Sequence, residues 1–416
     1  MTVDPNQPEI QGAAARKAAL RLIDAVLRRG ETLEQAGASA LSGLRHPADK
    51  ALARAIASEA LRWLPDLDRL IDGATQTRLA DDAKARSVLR LMLAQWLRLD
   101  TPPHVVVATG LPLLTGGPRR LAHGVFGALT RTGARLPAAP TLPEQVRARW
   151  GDKAEEIAQG LAQPPPLDVT LRDTATTPEW VERLGGLSLA PGHVRLARGS
   201  IVEALPGFAD GAWWVQDLAA SLPARLLGRG EGRRVLDLCA APGGKALQLA
   251  SQGWAVTALD SSARRLERLR ENLVRTGLAA NIVCADALTW QPEELFDAVL
   301  LDAPCTATGT CRRHPDVLYR IGQQDIADRV ELQTRLLARA AECLKPGGTL
   351  AYAVCSLERE EGEAQAARMA LAQWPVGVEE LPPGLEPTAE GWVRTDPGML
   401  QDAGGLDGFF IARWRG

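Results

Sequence analysis

From Arg233 onward, short apolar runs alternate with amphipathic stretches, and this alternation narrows the possible folds more than any other feature of the chain. The runs lie at 235–238, 255–260, 281–286, 297–302 and 349–355. A strand that is apolar on both faces must be covered on both faces, which is the situation of a parallel sheet between helical layers. Repeated strand–helix alternation therefore predicts a doubly wound, mostly parallel α/β sheet. A long helix is expected near 325–344.

The chain before this region reads differently. Stretches at 15–27, 49–64 and 83–99 place apolar residues at helical spacing, and Gly30, Pro47, Pro65, Pro102-Pro103 and Gly116-Gly117-Pro118 punctuate them. No alternating β-branched run intervenes, so an all-α bundle is expected. The proline-rich stretch at 136–146 reads as a linker. A short helix near 152–162 and a strand at 167–171 follow. The expected division is an all-helical domain over 1–138, a linker and small α+β subdomain over 139–230, and the α/β domain over 231–416. A chain of 416 residues is too long for one ordinary core, in keeping with that division.

Net charge is −2, but it is unevenly spread. Residues 1–140 hold 19 Lys and Arg against 13 Asp and Glu, so the remainder is net acidic. Such asymmetry suggests an anion-binding module joined to a separate domain, although a solvated helical surface explains the same excess. No apolar run approaches the roughly 18 residues of a membrane span. The first seven residues lack a basic segment followed by an apolar one, so no export signal is expected. Cys239, Cys284, Cys305, Cys311, Cys343 and Cys355 form no paired CxxC motifs, so no metal is expected. A reducing cytoplasm would leave these thiols free.

The sharpest local signal is Asp237-Leu238-Cys239-Ala240-Ala241-Pro242-Gly243-Gly244-Lys245, a glycine turn between a strand and a helix. Doubly wound folds bind ligands outside the carboxyl ends of their strands. Glycines there let a ligand approach the backbone, and the helix start presents unpaired N–H groups. Asp260, 23 residues beyond Asp237, stands where ribose hydroxyls are gripped. Asp286 ends the third strand, where an acceptor meets an adenine amino group, and Asp302 ends the fourth. Any one of them alone could be a turn aspartate. The turn has no room for GxGxxG, which disfavours NAD and favours a nucleoside with a charged tail, such as S-adenosylmethionine.

Cys305 and Cys355 fall just past strand ends, on the ligand-facing rim. Cys284 and Cys343 read as inert thiols in strand and helix interiors. Two rim thiols and a carboxylate, Asp302, suit methylation of cytosine carbon 5: a thiolate adds to carbon 6 and activates the ring, and a base later removes the carbon 5 proton. Asp302 would hold or protonate the N3 edge. Lys245, Arg312 and Arg313 are candidate positive neighbours that would favour a thiolate. The residues alone do not rank the two cysteines.

Taken together, the segment from Cys239 to Lys245, Asp302-Ala303-Pro304-Cys305, Arg312-Arg313-His314-Pro315-Asp316 and Tyr352-Ala353-Val354-Cys355-Ser356 resemble the motifs of the bacterial Sun/Fmu-type RNA cytosine-5 methyltransferases. Val215-Gln216-Asp217 resembles the lead into the cofactor strand, and Asp407-Gly408-Phe409-Phe410 the closing hairpin. The amino-terminal helices resemble a NusB-like RNA-binding domain. The resemblance implies a Rossmann-like class I methyltransferase domain with a seven-stranded sheet. It implies S-adenosylmethionine held by Cys239, Ala240, Ala241, Pro242, Gly243, Gly244, Lys245, Asp260, Arg265, Asp286 and Asp302. The implied catalytic set is Cys355, Cys305 and Asp302, with Cys355 the nucleophile and Cys305 assisting product release. The implied partner is 16S ribosomal RNA before or early in assembly, the protein being a cytoplasmic monomer. Val354 and Thr306 stand where the family usually has Thr and Ser. Competing readings are methylation of tRNA or another rRNA position, methylation of a protein or small molecule, and a non-catalytic RNA-binding protein. Retention of both thiols with an intact glycine turn weighs against the last.

Overall fold

The computed structural model describes residues 12–416; residues 1–11, where no export signal is expected, lie outside the described residues. The chain forms two compact units. One comprises the chain up to Ala162 together with Arg313–Arg320, and the other Gln163–Arg312 and Ile321–Gly416.

The first unit is all helical among its described residues. It contains α1 (Ala13–Arg29), α2 (Leu33–Ala40), α3 (Pro47–Arg62), α4 (Leu64–Gly73), α5 (Lys84–Arg98), α6 (Pro103–Gly110), α7 (Gly116–Arg131), α8 (Glu144–Trp150), α9 (Ala154–Leu161) and the single turn α14 (Val317–Arg320). Helix α1 buries Ala15, Ala18, Ala19, Leu22, Ile23 and Val26, one face at helical spacing. Helix α5 is buried along most of its length. Much of the basic character is spent internally: Arg90 clasps both oxygens of Asp68 at 2.7 Å, and Arg16 reaches Gln95 at 2.7 Å.

The unit ends at Ala162 rather than at the expected 138. The buried Asp66 carboxylate accepts the Thr141 N–H at 2.8 Å and its hydroxyl at 2.7 Å, tying the proline-rich stretch to α4. Arg62 and Arg98 donate to the Leu161 and Ala162 carbonyls at 3.3 and 2.7 Å, so α8 and α9 complete the bundle.

The second unit begins with β1 (Leu167–Leu171), α10 (Thr177–Leu184), β2 (His193–Leu196) and β3 (Trp213–Val215). These strands form an antiparallel sheet in the order β2-β1-β3. The expected α+β piece is present but belongs to the same compact unit as the larger sheet. Buried Asp168 takes both Arg195 donors at 2.7 Å and the Leu218 N–H at 3.1 Å, joining the small sheet to α11 (Leu218–Arg225).

The remaining elements are β4 (Arg234–Leu238), α12 (Gly244–Ser251), β5 (Ala255–Asp260), α13 (Ala263–Thr276), β6 (Asn281–Cys284), β7 (Phe296–Asp302), α15 (Gln323–Glu342), β8 (Leu344–Val354), α16 (Glu363–Ala366), β9 (Ala372–Gln373), β10 (Val393–Thr395) and β11 (Phe409–Arg415). The sheet runs β10-β11-β8-β7-β4-β5-β6, with β6 to β8 parallel and β11 and β10 antiparallel. The two-residue β9 pairs with β11 and makes an eighth strand beyond the seven expected. Buried Val235, Leu236, Val299, Leu300, Leu350 and Ala351 fill the centre, as strands covered on both faces require. Helix α13 shows the layer logic: Leu266, Leu269 and Leu273 face the sheet, Ser262 caps its start, and Gly277 ends it at φ 64°. Strand β4 has β5 on one side and β7 on the other, so the chain reverses its direction of winding there. The crevice at the carboxyl end of such a strand is where this fold binds ligands.

Candidate active site

The strand ends of β4, β5, β7 and β8 converge on one edge. Leu238 registers with Leu259 and with Leu301, and Asp302 with Ala353, so Cys239, Asp260, Asp302 and Cys355 share a rim. The turn from β4 into α12 passes through Cys239 at φ 63° and Gly243 at φ 111°. A Cβ on Gly243 would lie 2.4 Å from Leu269 Cδ1, so the turn packs against α13 only because that side chain is missing. Gly243 provides no side-chain cap to α12, which leaves its first N–H groups for a ligand.

Asp260 holds the turn. It accepts the Ala241 N–H at 3.2 Å and the Ser262 N–H at 2.8 Å, and Arg265 pairs with it at 3.5 Å while also donating to the Ala241 carbonyl. Asp260 is nearly enclosed, whereas Pro242 and Asp286 are exposed. Asp286 accepts the Leu288 N–H at 2.9 Å, so one of its oxygens serves as a turn acceptor. Asp237 lies beneath the turn, fully buried, with both oxygens unpartnered. Burial, then the charge of Asp302, pushes its carboxyl well above the usual range. Burial and the charges of Asp302, Asp260 and Asp237 push the Cys239 thiol up to about 12.

The two rim thiols meet: Cys305 Sγ lies 3.4 Å from Cys355 Sγ. Beside them, Lys245 Nζ donates to Asp302 Oδ2 at 2.6 Å and lies 5.3 Å from the centre of the Phe409 ring. Burial disfavours the Lys245 charge, but Asp302, then Cys355 and Asp237, hold the ammonium above its ordinary range. The opposite sign acts on Cys305. Its hydrogen bond to Cys355, then burial, then the negative charges available to Cys355 and Glu361, push that thiol well above its ordinary value.

The loop after Cys305 is fastened to the strand end that carries Cys355. Gly309 N donates to the Cys355 carbonyl at 3.0 Å, and the Gly309 carbonyl accepts from Gly408 N at 2.8 Å. A Cβ on Gly309 would stand 2.0 Å from the Gly408 carbonyl oxygen, so this contact between loops requires glycine.

The contacts fall into three groups on this rim: Asp260 and Arg265 on the Ala241 backbone, Lys245 on Asp302, and Cys305 on Cys355, while Asp286 stands apart from them. Of the three candidate positive neighbours, only Lys245 stands at the thiols. Arg312 instead serves the Gly404 carbonyl and pairs with Asp407 at 3.6 Å, and Arg313 belongs to the helical unit. Cys284 is exposed at the end of β6 and Cys343 caps α15, so neither sits in an element interior as expected. Sequence reasoning missed Glu361, a wholly buried acid in the loop after β8. The only hint was an acidic run just past Cys355, which reads as a solvated loop.

Residues 224–415 match the family described as 16S rRNA methyltransferase RsmB/F, and residues 13–113 match the NusB family. The chain is 35% identical to ribosomal RNA small subunit methyltransferase B of Xanthomonas campestris pv. campestris, over 96% of this chain and 97% of that one. It is 36% identical to the protein of the same name from Xylella fastidiosa, over 97% and 98% of the two chains. Among solved structures, a methyltransferase homologue from Pyrococcus horikoshii superposes with a TM-score of 0.56 at 27% identity, covering 70% of this chain and 97% of that one.

Proposed function

Because the chain belongs to the RsmB/F family of 16S ribosomal RNA methyltransferases, we propose that it methylates carbon 5 of a cytosine in that RNA through a transient bond between Cys355 and carbon 6 of the ring. The observation that carries this reading is the Cys305–Cys355 pair, 3.4 Å apart beside the Lys245–Asp302 pair.

The cofactor of the family is S-adenosylmethionine, and the rim suits it. The uncapped first turn of α12 offers N–H groups to a carboxylate, and Asp260 and Asp286 stand at strand ends suited to ribose and adenine. When bound, S-adenosylmethionine supplies an electrophilic methyl group on a sulfonium centre. Cytosine carbon 5 is too electron-poor to attack such a group unaided, and addition of the Cys355 thiolate to carbon 6 makes it nucleophilic. Lys245 offers its charge to that thiolate, while Cys305 keeps its proton and donates it toward Cys355. Asp302, which receives a hydrogen bond from Lys245, would relay a proton to N3 as the sulfur adds and take it back as the methyl group is transferred. Once the Cys355 sulfur is bonded to carbon, the partner that most held the proton on Cys305 is neutral. Cys305 can then release its proton to solvent and, as the thiolate, take the carbon 5 proton. The sulfur–carbon bond breaks, and its electron pair returns to Cys355.

The helical unit supports RNA binding. Residues 101–140 contain no acid, and Arg119, Arg120, Arg131 and Arg135 on it are exposed. Among the described residues no helix is long and apolar enough to cross a membrane. We read the protein as a cytoplasmic monomer acting on 16S rRNA before or early in assembly.

The test is a pair of variants assayed with radiolabelled cofactor and 16S rRNA. Cys355→Ala should lose methyl transfer, and normal turnover would refute the assigned nucleophile. Cys305→Ala should accumulate a protein–RNA adduct that survives a denaturing gel, and its absence would count against the release role.

A further inference from the structure

Glu361 is fully buried, and among the described residues it pairs with no cation. Moving a carboxylate out of water costs several kcal/mol unless donors replace the lost hydration. Four donors do so here. Oε1 accepts the Thr306 N–H at 2.9 Å and Gln333 Nε2 at 2.9 Å, and Oε2 accepts the hydroxyls of Thr306 and Ser356. Thr306 directly follows Cys305, and Ser356 directly follows Cys355. Gln333 Nε2 also donates to the Pro304 carbonyl at 3.0 Å, on the other side of Cys305. The two hydroxyls lie 3.2 Å apart, and Thr308 Oγ1 stands 3.3 Å from Ser356 Oγ while accepting the Leu357 N–H at 3.0 Å. One carboxylate thus bridges the residues next to both thiols, and the bridge is anchored from α15.

We propose that Glu361 is a positioning residue that sets the separation of the Cys305 and Cys355 sulfurs, and so the balance between forming and releasing the RNA adduct. The consequence for turnover rests on the thiol roles proposed above; the control of sulfur separation does not. A carboxylate is suited to the task because it accepts from all four donors without donating. An apolar residue would leave buried donors unsatisfied and each cysteine loop free to settle separately.

The direct probe is phenylarsine oxide, which loses its oxygen as water when two neighbouring thiols bond to one arsenic. On the full-length protein without RNA, it should protect Cys305 and Cys355 jointly from alkylation, read by peptide mass spectrometry. Glu361→Ala should lose most of that joint protection. It should also lower kcat about a hundredfold, the scale for a misplacement near 1 Å, with cofactor affinity unchanged. Glu361→Gln can keep the tie, its carbonyl accepting from Thr306 N and Gln333 and its amide donating to the two hydroxyls. It should restore both the protection and most of the turnover. Unchanged joint protection in a folded Glu361→Ala protein, or a Glu361→Gln protein as impaired as Glu361→Ala, would overturn the proposal. If Glu361→Ala fails to fold, Thr306→Val and Ser356→Ala decide: each should weaken joint protection, and full protection in both would overturn it. Methyl transfer by Cys355→Ala would sink the nucleophile assignment while leaving the arsenical result to judge the clamp.

Discussion

Replacing Lys245 by methionine keeps the length of the side chain and removes its charge. At 2.6 Å, two unit charges attract by about 6 kcal/mol at an effective dielectric constant of about 20. Burying Lys245, only 9% exposed, cancels much of that attraction. Removing one member of a buried pair costs about 3–5 kcal/mol because the other is left uncompensated. Asp302 is 31% exposed and regains some hydration, so about 2 kcal/mol is the expected loss. For a chain of this size that lowers Tm by about 2–4 °C, measurable by calorimetry. The more telling effect is on Cys355, whose thiolate would lose its nearby cation. Its alkylation by iodoacetamide at neutral pH, followed by peptide mass spectrometry, should slow about tenfold, or about 1.4 kcal/mol. Lys245→Arg keeps the charge and should retain most of that reactivity even where it disturbs packing. A folded Lys245→Met protein that alkylates at Cys355 as fast as the wild type would refute the claim that this ammonium prepares the nucleophile.

Two further expectations concern the cofactor turn. The Asp237 carboxyl is held above its ordinary range by burial, so the folded state favours its proton. Its contribution to stability is therefore intact below the unfolded carboxylate value of about 3.9 and is lost as pH rises toward the folded value. Asp237→Asn should gain on the wild type above about pH 4 by up to about 1.4 kcal/mol per pH unit in urea titrations, and a gain independent of pH would contradict the assignment. Gly243→Ala places a Cβ 2.4 Å from Leu269 at a φ of 111° and should cost about 2–4 kcal/mol along with cofactor affinity. Gly244→Ala meets nothing closer than 3.6 Å and should cost less than half as much; equal losses in the two variants would show that the turn is not set by this contact.

The parallel sheet was legible because burial on both faces writes itself into the sequence as uninterrupted apolar runs, as in Val235, Leu236, Val299 and Leu300. The two-residue strand at Ala372 was not, because pairing at an antiparallel edge needs only a backbone and leaves no periodicity. The helical unit reaches past the expected linker for a different reason. Proline and small residues at 136–146 do form an irregular stretch, but what decides its allegiance is Asp66, some 75 residues earlier, receiving Thr141. Likewise, a positive charge balance could not reveal that Arg16, Arg86 and Arg90 are sealed inside the bundle while the arginines of residues 119–135 face outward. Among the rim acids, strand-end position was legible for Asp260, Asp286 and Asp302 alike. Their different exposures and partners were not, because those depend on which loop folds over each strand end.

The two rim cysteines pose the same problem in its sharpest form. Each follows a strand, each is partly buried, and the motifs around them show two similar thiols separated by 50 residues. A cycle that forms and then breaks a carbon–sulfur bond needs those thiols to differ, one ready to give up its proton and the other retaining it until its neighbour has reacted. Nothing intrinsic to cysteine supplies that difference. The fold sets the two thiols in different surroundings, with Lys245 from the start of α12 brought toward Cys355 and Glu361 from the loop after β8 toward Cys305, whose thiol is pushed up. Both charged residues stand openly in the sequence. Their opposing effects become visible only when parallel strands β7 and β8 set Asp302 beside Ala353 and bring the following sulfurs to 3.4 Å. At that distance two thiolates would repel strongly, so ionisation of one discourages ionisation of the other. In the cycle proposed above, the close pairing and the unequal charges therefore act together: the pairing holds the proton on Cys305, and the charges set the two sulfurs in different surroundings.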